Sequence, residues 1–215
     1  MRCWEVVNIR QTQEVYRQDG PLTHVYFPLT GVYAVIVRMQ DGRAVEAGTV
    51  GSEGMIGVTA LLDMDFSSMT VTTPVPGKCL QVPVNAFRSA VIPGKSLDKV
   101  LRRYTAVALL SAHQTVACNA VHSAEERMCR WLLTNQDRVH GGQLTLTHEF
   151  LAQMLGVRRQ TVSVIAGALQ AAGFITSGRG IVRILNRKGL EASCCECYSI
   201  GRSVYERIVF SETRN

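Results

Sequence analysis

Residues 146–183 read LTHEFLAQMLGVRRQTVSVIAGALQAAGFITSGRGIVR, and two helical periods can be counted in that stretch. From Thr147, whose hydroxyl suits a helix start, the apolar residues Phe150, Leu151, Met154 and Leu155 recur three and four apart until Gly156. Glycine adopts the left-handed backbone conformation readily, so the pattern predicts a short helix with an abrupt end and a second helix leaving at a steep angle. Val162, Ile165 and Leu169 mark the buried stripe of that second helix. At about 100° per residue, Arg159, Gln160, Ser163, Val164 and Gly167 fall on the opposite, solvent-facing side. After Gly173, the runs 174–177 and 181–185 flank Gly178-Arg179-Gly180, a hairpin signal. Helix, tight turn, helix and hairpin predict a winged helix-turn-helix, whose second helix enters a DNA major groove.

Charge points the same way. Residues 150–190 contain no Asp or Glu but carry Arg158, Arg159, Arg179, Arg183, Arg187 and Lys188. A solvated helical face normally mixes both signs, so an acid-free run predicts a surface that meets phosphates. The net charge of +6 is located there too: residues 1–95 hold eight basic and eight acidic side chains, and the remainder hold fifteen and nine.

A chain of 215 residues, 47% hydrophobic and 19% charged, suits two modest globular domains. No run approaches the roughly eighteen apolar residues that span a bilayer, and the opening MRCWEVVNIR mixes charge into every turn, so the expected location is the cytoplasm, with no membrane partner. Seven cysteines at irregular spacings do not suggest a disulfide framework and are expected to be reduced thiols.

Ahead of the helix pair the pattern changes twice. Seven short β-branched runs, at 4–9, 14–17, 24–27, 32–38, 43–50, 69–73 and 78–83, are punctuated by turn signals such as Asp41-Gly42 and Pro76-Gly77. They predict an antiparallel sandwich or a jelly-roll-like β-roll. Residues 95–121 then form one long helical pattern without proline or glycine. One stripe is Leu97, Leu101, Tyr104, Ala108, Ser111, Thr115 and Cys118; a second flank is Val100, Val107, Leu110, Ala117 and Val121. Two stripes imply two partners, the roll and the same helix of a second subunit. Ser123 with Glu126 three residues on predicts the capping box of a further helix through Met128, Trp131 and Leu132, ending before a joint at His140-Gly141-Gly142. Residues 143–146 alternate polar and apolar, as a short strand beside the wing would.

The runs HSAEERMCRWLL, LTHEFLAQMLGVRRQTVSVIAGALQ and GRGIVRILNRKGLEASCCECY, with a β-roll and long helix before them, resemble the Crp/Fnr family of bacterial transcription regulators. The resemblance implies an α+β fold: a sensor β-roll over 1–94, a central dimerisation helix over 95–122, a winged helix-turn-helix over 123–190 and a cysteine-containing tail over 191–215. Relatives carry extra helical residues ahead of the first strand, and this chain begins close to it. The family's recognition-helix arginine falls on Arg159, whose fork suits the O6 and N7 acceptors of guanine. Gln160 stands where a glutamate is frequent, an amide that suits adenine in place of an acid that suits cytosine, and Val164 takes a position that can be arginine. Thr161 and Ser163 are expected donors to phosphate or base edges, and Arg158, Thr147, Arg179 and Arg183 are expected backbone contacts. The implied partners are double-stranded DNA, a second copy of the chain, RNA polymerase and a small-molecule or redox effector.

The family's cyclic-nucleotide binders use a Gly-Glu pair and a later Arg-Ser/Thr-Ala segment. This chain has Gly57-Val58 and Ser68-Met69-Thr70 there, so neither ionic partner is expected and no nucleotide cofactor follows. The glycines at 48, 51, 54 and 57 precede no P-loop lysine and read as turns. The family's iron–sulfur branch needs clustered cysteines near the start, where only Cys3 stands. Cys194, Cys195 and Cys197 lack the paired CxxC spacing of a zinc site, so no metal is expected. The competing class is a cupin-like metal or small-molecule binder whose C-terminal domain contacts proteins. It needs several converging histidines, and the first 95 residues offer only His24. His113, His122, His140 and His148 are scattered, with no HExxH or GxSxG, so no enzyme is expected.

Overall fold

The computed structural model describes residues 4–139 and 143–209. Cys3 and the joint at His140-Gly141-Gly142 lie outside them. Seven strands build the N-terminal half: β1 (Glu5–Ile9), β2 (Glu14–Tyr16), β3 (His24–Pro28), β4 (Val32–Arg38), β5 (Ala44–Val50), β6 (Thr70–Val75) and β7 (Gly77–Pro83). They form two antiparallel sheets, ordered β1-β7-β3 and β2-β6-β4-β5. Each lies within about two residues of a run read from the sequence, because β-branched residues between turn signals leave the backbone few alternatives. A short helix, α1 (Val84–Ala90), leads into α2 (Ser96–Val121).

Period-2 alternation lets β4 serve two cores. Tyr33 and Val35 point into the roll with Tyr16, Val25, Met55, Ile56 and Val71. Ala34 and Ile36 point the other way and join the core of the C-terminal half. Leu101 on α2 belongs to the roll cluster, so the long helix starts on the N-terminal half and runs away from it.

The C-terminal half contains α3 (Ala124–Gln136), β8 (Gln143–Thr145), α4 (His148–Leu155), α5 (Arg159–Ala171), β9 (Ile175–Gly178), β10 (Ile181–Ile184), α6 (Arg187–Ala192) and α7 (Cys197–Val209). The capping box is present: Ser123 Oγ accepts from Glu126 N–H at 3.2 Å, and Glu126 Oε2 accepts from Ser123 N–H at 2.8 Å. The short strand β8 pairs with β10, giving a three-stranded sheet ordered β8-β10-β9. Cys197–Val209 of the tail is helical, and this α7 packs along α2, a placement no local period announces.

Polar contacts tie the halves together. Trp131 Nε1–H donates to Glu46 on β5, and both residues are buried. Arg138 pairs with Glu53 at 2.6 Å, and Gln11 Nε2 donates to the Thr145 carbonyl at 2.9 Å. Burial pushes the Glu46 carboxyl up to about 7, against the pull of the Trp131 hydrogen bond and of Arg130 and Arg138. An acid raised from 4.5 in this way favours folding while it stays neutral, so its contribution is complete below pH 4.5 and is lost as pH rises through about 7.

That loss is on the order of 3 kcal/mol at 1.36 kcal/mol per pKa unit. Glu46→Gln keeps an acceptor for Trp131 without the titration, so the variant should gain on wild type as pH rises from about 4.5 to about 8. Urea denaturation across that range checks it; two parallel stability curves contradict it.

Candidate nucleic-acid interface

The interface rests on how α4 ends. Thr147 caps its start, Oγ1 accepting from Phe150 N–H at 3.1 Å. Gly156 ends it in the left-handed conformation, φ 64°, with its N–H directed at the carbonyls of Ala152 and Gln153. Three residues later, at Arg159, α5 begins. Val162, Ile165, Ala166 and Leu169 are buried, as the apolar period required, and pack into the core with Leu151, Met154 and Leu155. Arg158, Arg159, Gln160, Thr161, Ser163, Val164 and Gly167 are exposed. Val164 is 73% exposed, unusual for a β-branched apolar residue within a packed domain.

The wing is the hairpin β9–β10. Gly178 pairs with Ile181, so Arg179 and Gly180 alone form its tip. Both have positive φ, 50° and 75°, the signature of a type I′ turn, whose first position normally goes to asparagine or glycine. An arginine held there is strained by about 1–2 kcal/mol, which selects for the side chain and not for the turn. Arg183 is exposed but anchored, its Nε and Nη2 donating to Gln143 Oε1 at 3.1 and 2.8 Å.

Two residues behave otherwise than the charge run suggests. Arg187 is not a free cation: it pairs with Asp137 and Glu191, each at 2.8 Å, and donates to Gln136, fastening α6 to the end of α3. His148 had no role in the sequence reading. Its Nδ1 lies 3.0 Å from Ser163 Oγ and its Nε2 3.0 Å from Ser177 Oγ, so one imidazole braces α4, α5 and the wing. The signal was absent because the three partners are 15 and 29 residues apart. The α5 N-terminus also borders a cleft of about 1270 Å³, lined across from Arg158 and Arg159 by Met39, Asp41 and Arg43 at the β4–β5 tip.

Residues 6–92 match the family model for the cyclic nucleotide-binding domain, and residues 126–193 that for the Crp-like helix-turn-helix domain. The chain therefore carries the two domain types that Crp/Fnr regulators combine, a cyclic nucleotide-binding domain and a Crp-like helix-turn-helix domain. Among curated Crp/Fnr relatives, the transcriptional regulator SdrP of Thermus thermophilus is 27% identical over 179 residues, covering 80% of this chain and 84% of that protein. The CRP-like cAMP-activated global transcriptional regulator of Mycobacterium tuberculosis is 23% identical over 176 residues, covering 79% of each. In fold, the chain is similar to FixK2 from Bradyrhizobium japonicum, with TM-score 0.75 and 21% identity over 89% of this chain and 98% of that one. A CRP/FNR-family regulator of Thermus thermophilus superposes with TM-score 0.71 at 23% identity, over 88% and 97%. The chain is therefore a transcription regulator of the Crp/Fnr type, with a helix-turn-helix DNA-binding domain. Among the described residues no helix is long and apolar enough to cross a membrane.

His148→Ala removes both bracing hydrogen bonds and should cost about 1–2 kcal/mol in urea denaturation. Ser163→Ala added to that variant should then cost little more, because the bond it would break is already gone. Full additivity of the two changes contradicts the brace.

Proposed function

We propose that the chain binds an inverted repeat in duplex DNA as a homodimer, placing the exposed face of α5 in the major groove. The observation that carries this is the acid-free, solvent-facing surface from Arg158 to Gly167, flanked by a wing with an arginine at its strained tip. Arg159 would fork to guanine O6 and N7, Gln160 would pair with adenine N6 and N7, and Val164 would rest on a thymine methyl. Arg158, Thr161, Ser163, Thr147, Arg179 and Arg183 would hold phosphates or base edges, with the hydroxyls of Ser163 and Thr147 already oriented by their internal hydrogen bonds.

The second subunit is supported by α2. Val100, Leu109, Leu110, Val116 and Val121 are exposed there, with Val116 at 69% and Val121 at 74%. Leu101, Val107 and Cys118 face the chain's own interior. A helix apolar on both sides, covered on one, supports pairing with its copy, which would set two α5 helices about 34–36 Å apart.

The sensor half is read as responding to something other than a cyclic nucleotide, although it matches that domain. Val58, Ser68 and Met69 stand at the positions where an anionic ligand would need a carboxylate and an arginine, and Tyr16, Tyr33 and Met55 fill the interior of the roll. A small-molecule or redox effector, RNA polymerase as a partner and a cytoplasmic location complete the reading.

Arg159→Ala should weaken binding to the preferred site by about 1–3 kcal/mol and relax one base-pair preference, as read by titrating duplexes mutated one position at a time. Arg179→Asn should instead weaken all duplexes alike and reduce the salt slope by about one, while leaving the melting temperature equal or higher. Equal affinities of Arg159→Ala and wild type on the selected site refute the assignment. Light scattering at micromolar concentration should give twice the chain mass; the mass of one chain refutes the dimer.

A further inference from the structure

Cys118 and His122 lie one helical turn apart at the C-terminal end of α2, so both side chains leave the same face. Cys195 lies in the turn between α6 and α7 and Cys197 opens α7, and the packing of α7 along α2 delivers both to that face. The spacing of the tail suggested no zinc site because it supplies only part of a ligand set. Of the remaining donors, Cys118 stands 77 residues before Cys195 and His122 stands 75 before Cys197.

The ligand atoms of Cys118, His122, Cys195 and Cys197 all lie within 4.8 Å of one another. Cys118 Sγ is 3.6 Å from Cys195 Sγ, and Cys197 Sγ is 3.6 Å from His122 Nδ1. A tetrahedral zinc ion with Zn–S of about 2.3 Å and Zn–N of about 2.0–2.1 Å requires sulfur–sulfur edges of about 3.8 Å and sulfur–nitrogen edges of about 3.6 Å. Both measured edges match to within a few tenths of an ångström.

The surroundings fit a bound cation better than packed thiols. Cys118, Cys195 and Cys197 are buried as a cluster of their own, separate from both main cores, so they fill no gap in an apolar interior. His122 Nε2 lies 3.1 Å from Glu196 Oε2. Donation of Nε2–H to that carboxylate leaves the Nδ1 lone pair on the side of Cys197, the outer-shell arrangement that orients zinc-bound histidines. Gln114 Nε2 donates to Cys197 Sγ at 3.0 Å, a bond suited to a thiolate. Three sulfurs and one nitrogen suit zinc and not the oxygen-seeking magnesium or calcium. An iron–sulfur cluster spreads its thiolates over several irons and needs wider spacing than this.

We propose that Cys118, His122, Cys195 and Cys197 form a closed tetrahedral zinc site that pins α7 to the end of α2, with Glu196 as the positioning residue of His122. Four protein donors leave no open coordination position, so the role is structural. His122 closes α2 and the next residue, Ser123, opens α3. The ion thus fixes the joint at which the long helix hands over to the DNA-binding half.

The test is elemental analysis of the full chain purified under reducing conditions with zinc, together with cobalt(II) substitution. The expected result is one zinc per chain, and a cobalt form with the intense thiolate charge-transfer and d–d bands of a tetrahedral sulfur-rich site. Cys195→Ser and Cys197→Ser should each lose the metal or bind it far more weakly, and Cys194→Ser should retain it. Glu196→Gln should bind zinc with full stoichiometry but 10- to 100-fold more weakly, on the order of outer-shell changes elsewhere. Should the serine variants fail to fold, the cobalt spectrum of the wild-type chain decides alone. Reduced protein without zinc, a weak octahedral cobalt spectrum, or a Cys118–Cys195 disulfide seen as the loss of two hydrogens in the intact mass overturns the proposal.

Discussion

The arrangement of the C-terminal half depends on one backbone constraint, the left-handed turn at Gly156. A residue with a β-carbon would be strained at φ 64°, and that carbon would also meet Val45 Cγ2 at 3.3 Å. Because α4 stops there, α5 can start three residues later in a new direction with Val162, Ile165 and Leu169 turned inward. Everything polar at its start is thereby turned outward. The exposed side proposed to meet DNA is in this sense a by-product of burying the other side of the helix.

The same packing makes the two halves one mechanical unit. β4 contributes alternate residues to two cores, and Glu46, Glu53 and Gln11 reach across to Trp131, Arg138 and Thr145. A buried carboxyl facing an indole N–H is costly to ionise, so this contact is the one most sensitive to its surroundings. Along the other side, α2 carries the mechanical path from the roll to the DNA-binding half, with α7 laid against it.

Much of this was legible in the chain because it is local. Thr147, Gly156 and the Ser123–Glu126 pair each act over a few residues, and each appeared where the period placed it. What could not be seen depends on residues far apart in sequence. The Asp137 and Glu191 carboxylates take Arg187 out of the cationic surface, although the acid-free run had counted it there. His148 looked like an isolated histidine because its two serine partners lie on other elements. Cys195 and Cys197 looked incomplete for the same reason: helical docking of α7, and no spacing rule, brings Cys118 and His122 to them.

The central claim is that the outward side of α5 meets a duplex, and selection from a randomised DNA pool followed by titration of the enriched duplex against salt tests it most directly. The account predicts an inverted repeat with half-sites about one helical turn apart, bound with an affinity that falls on the order of a thousandfold between about 50 and 200 mM salt. A pool that yields no enriched sequence, with no duplex bound even at the lowest salt, would contradict it.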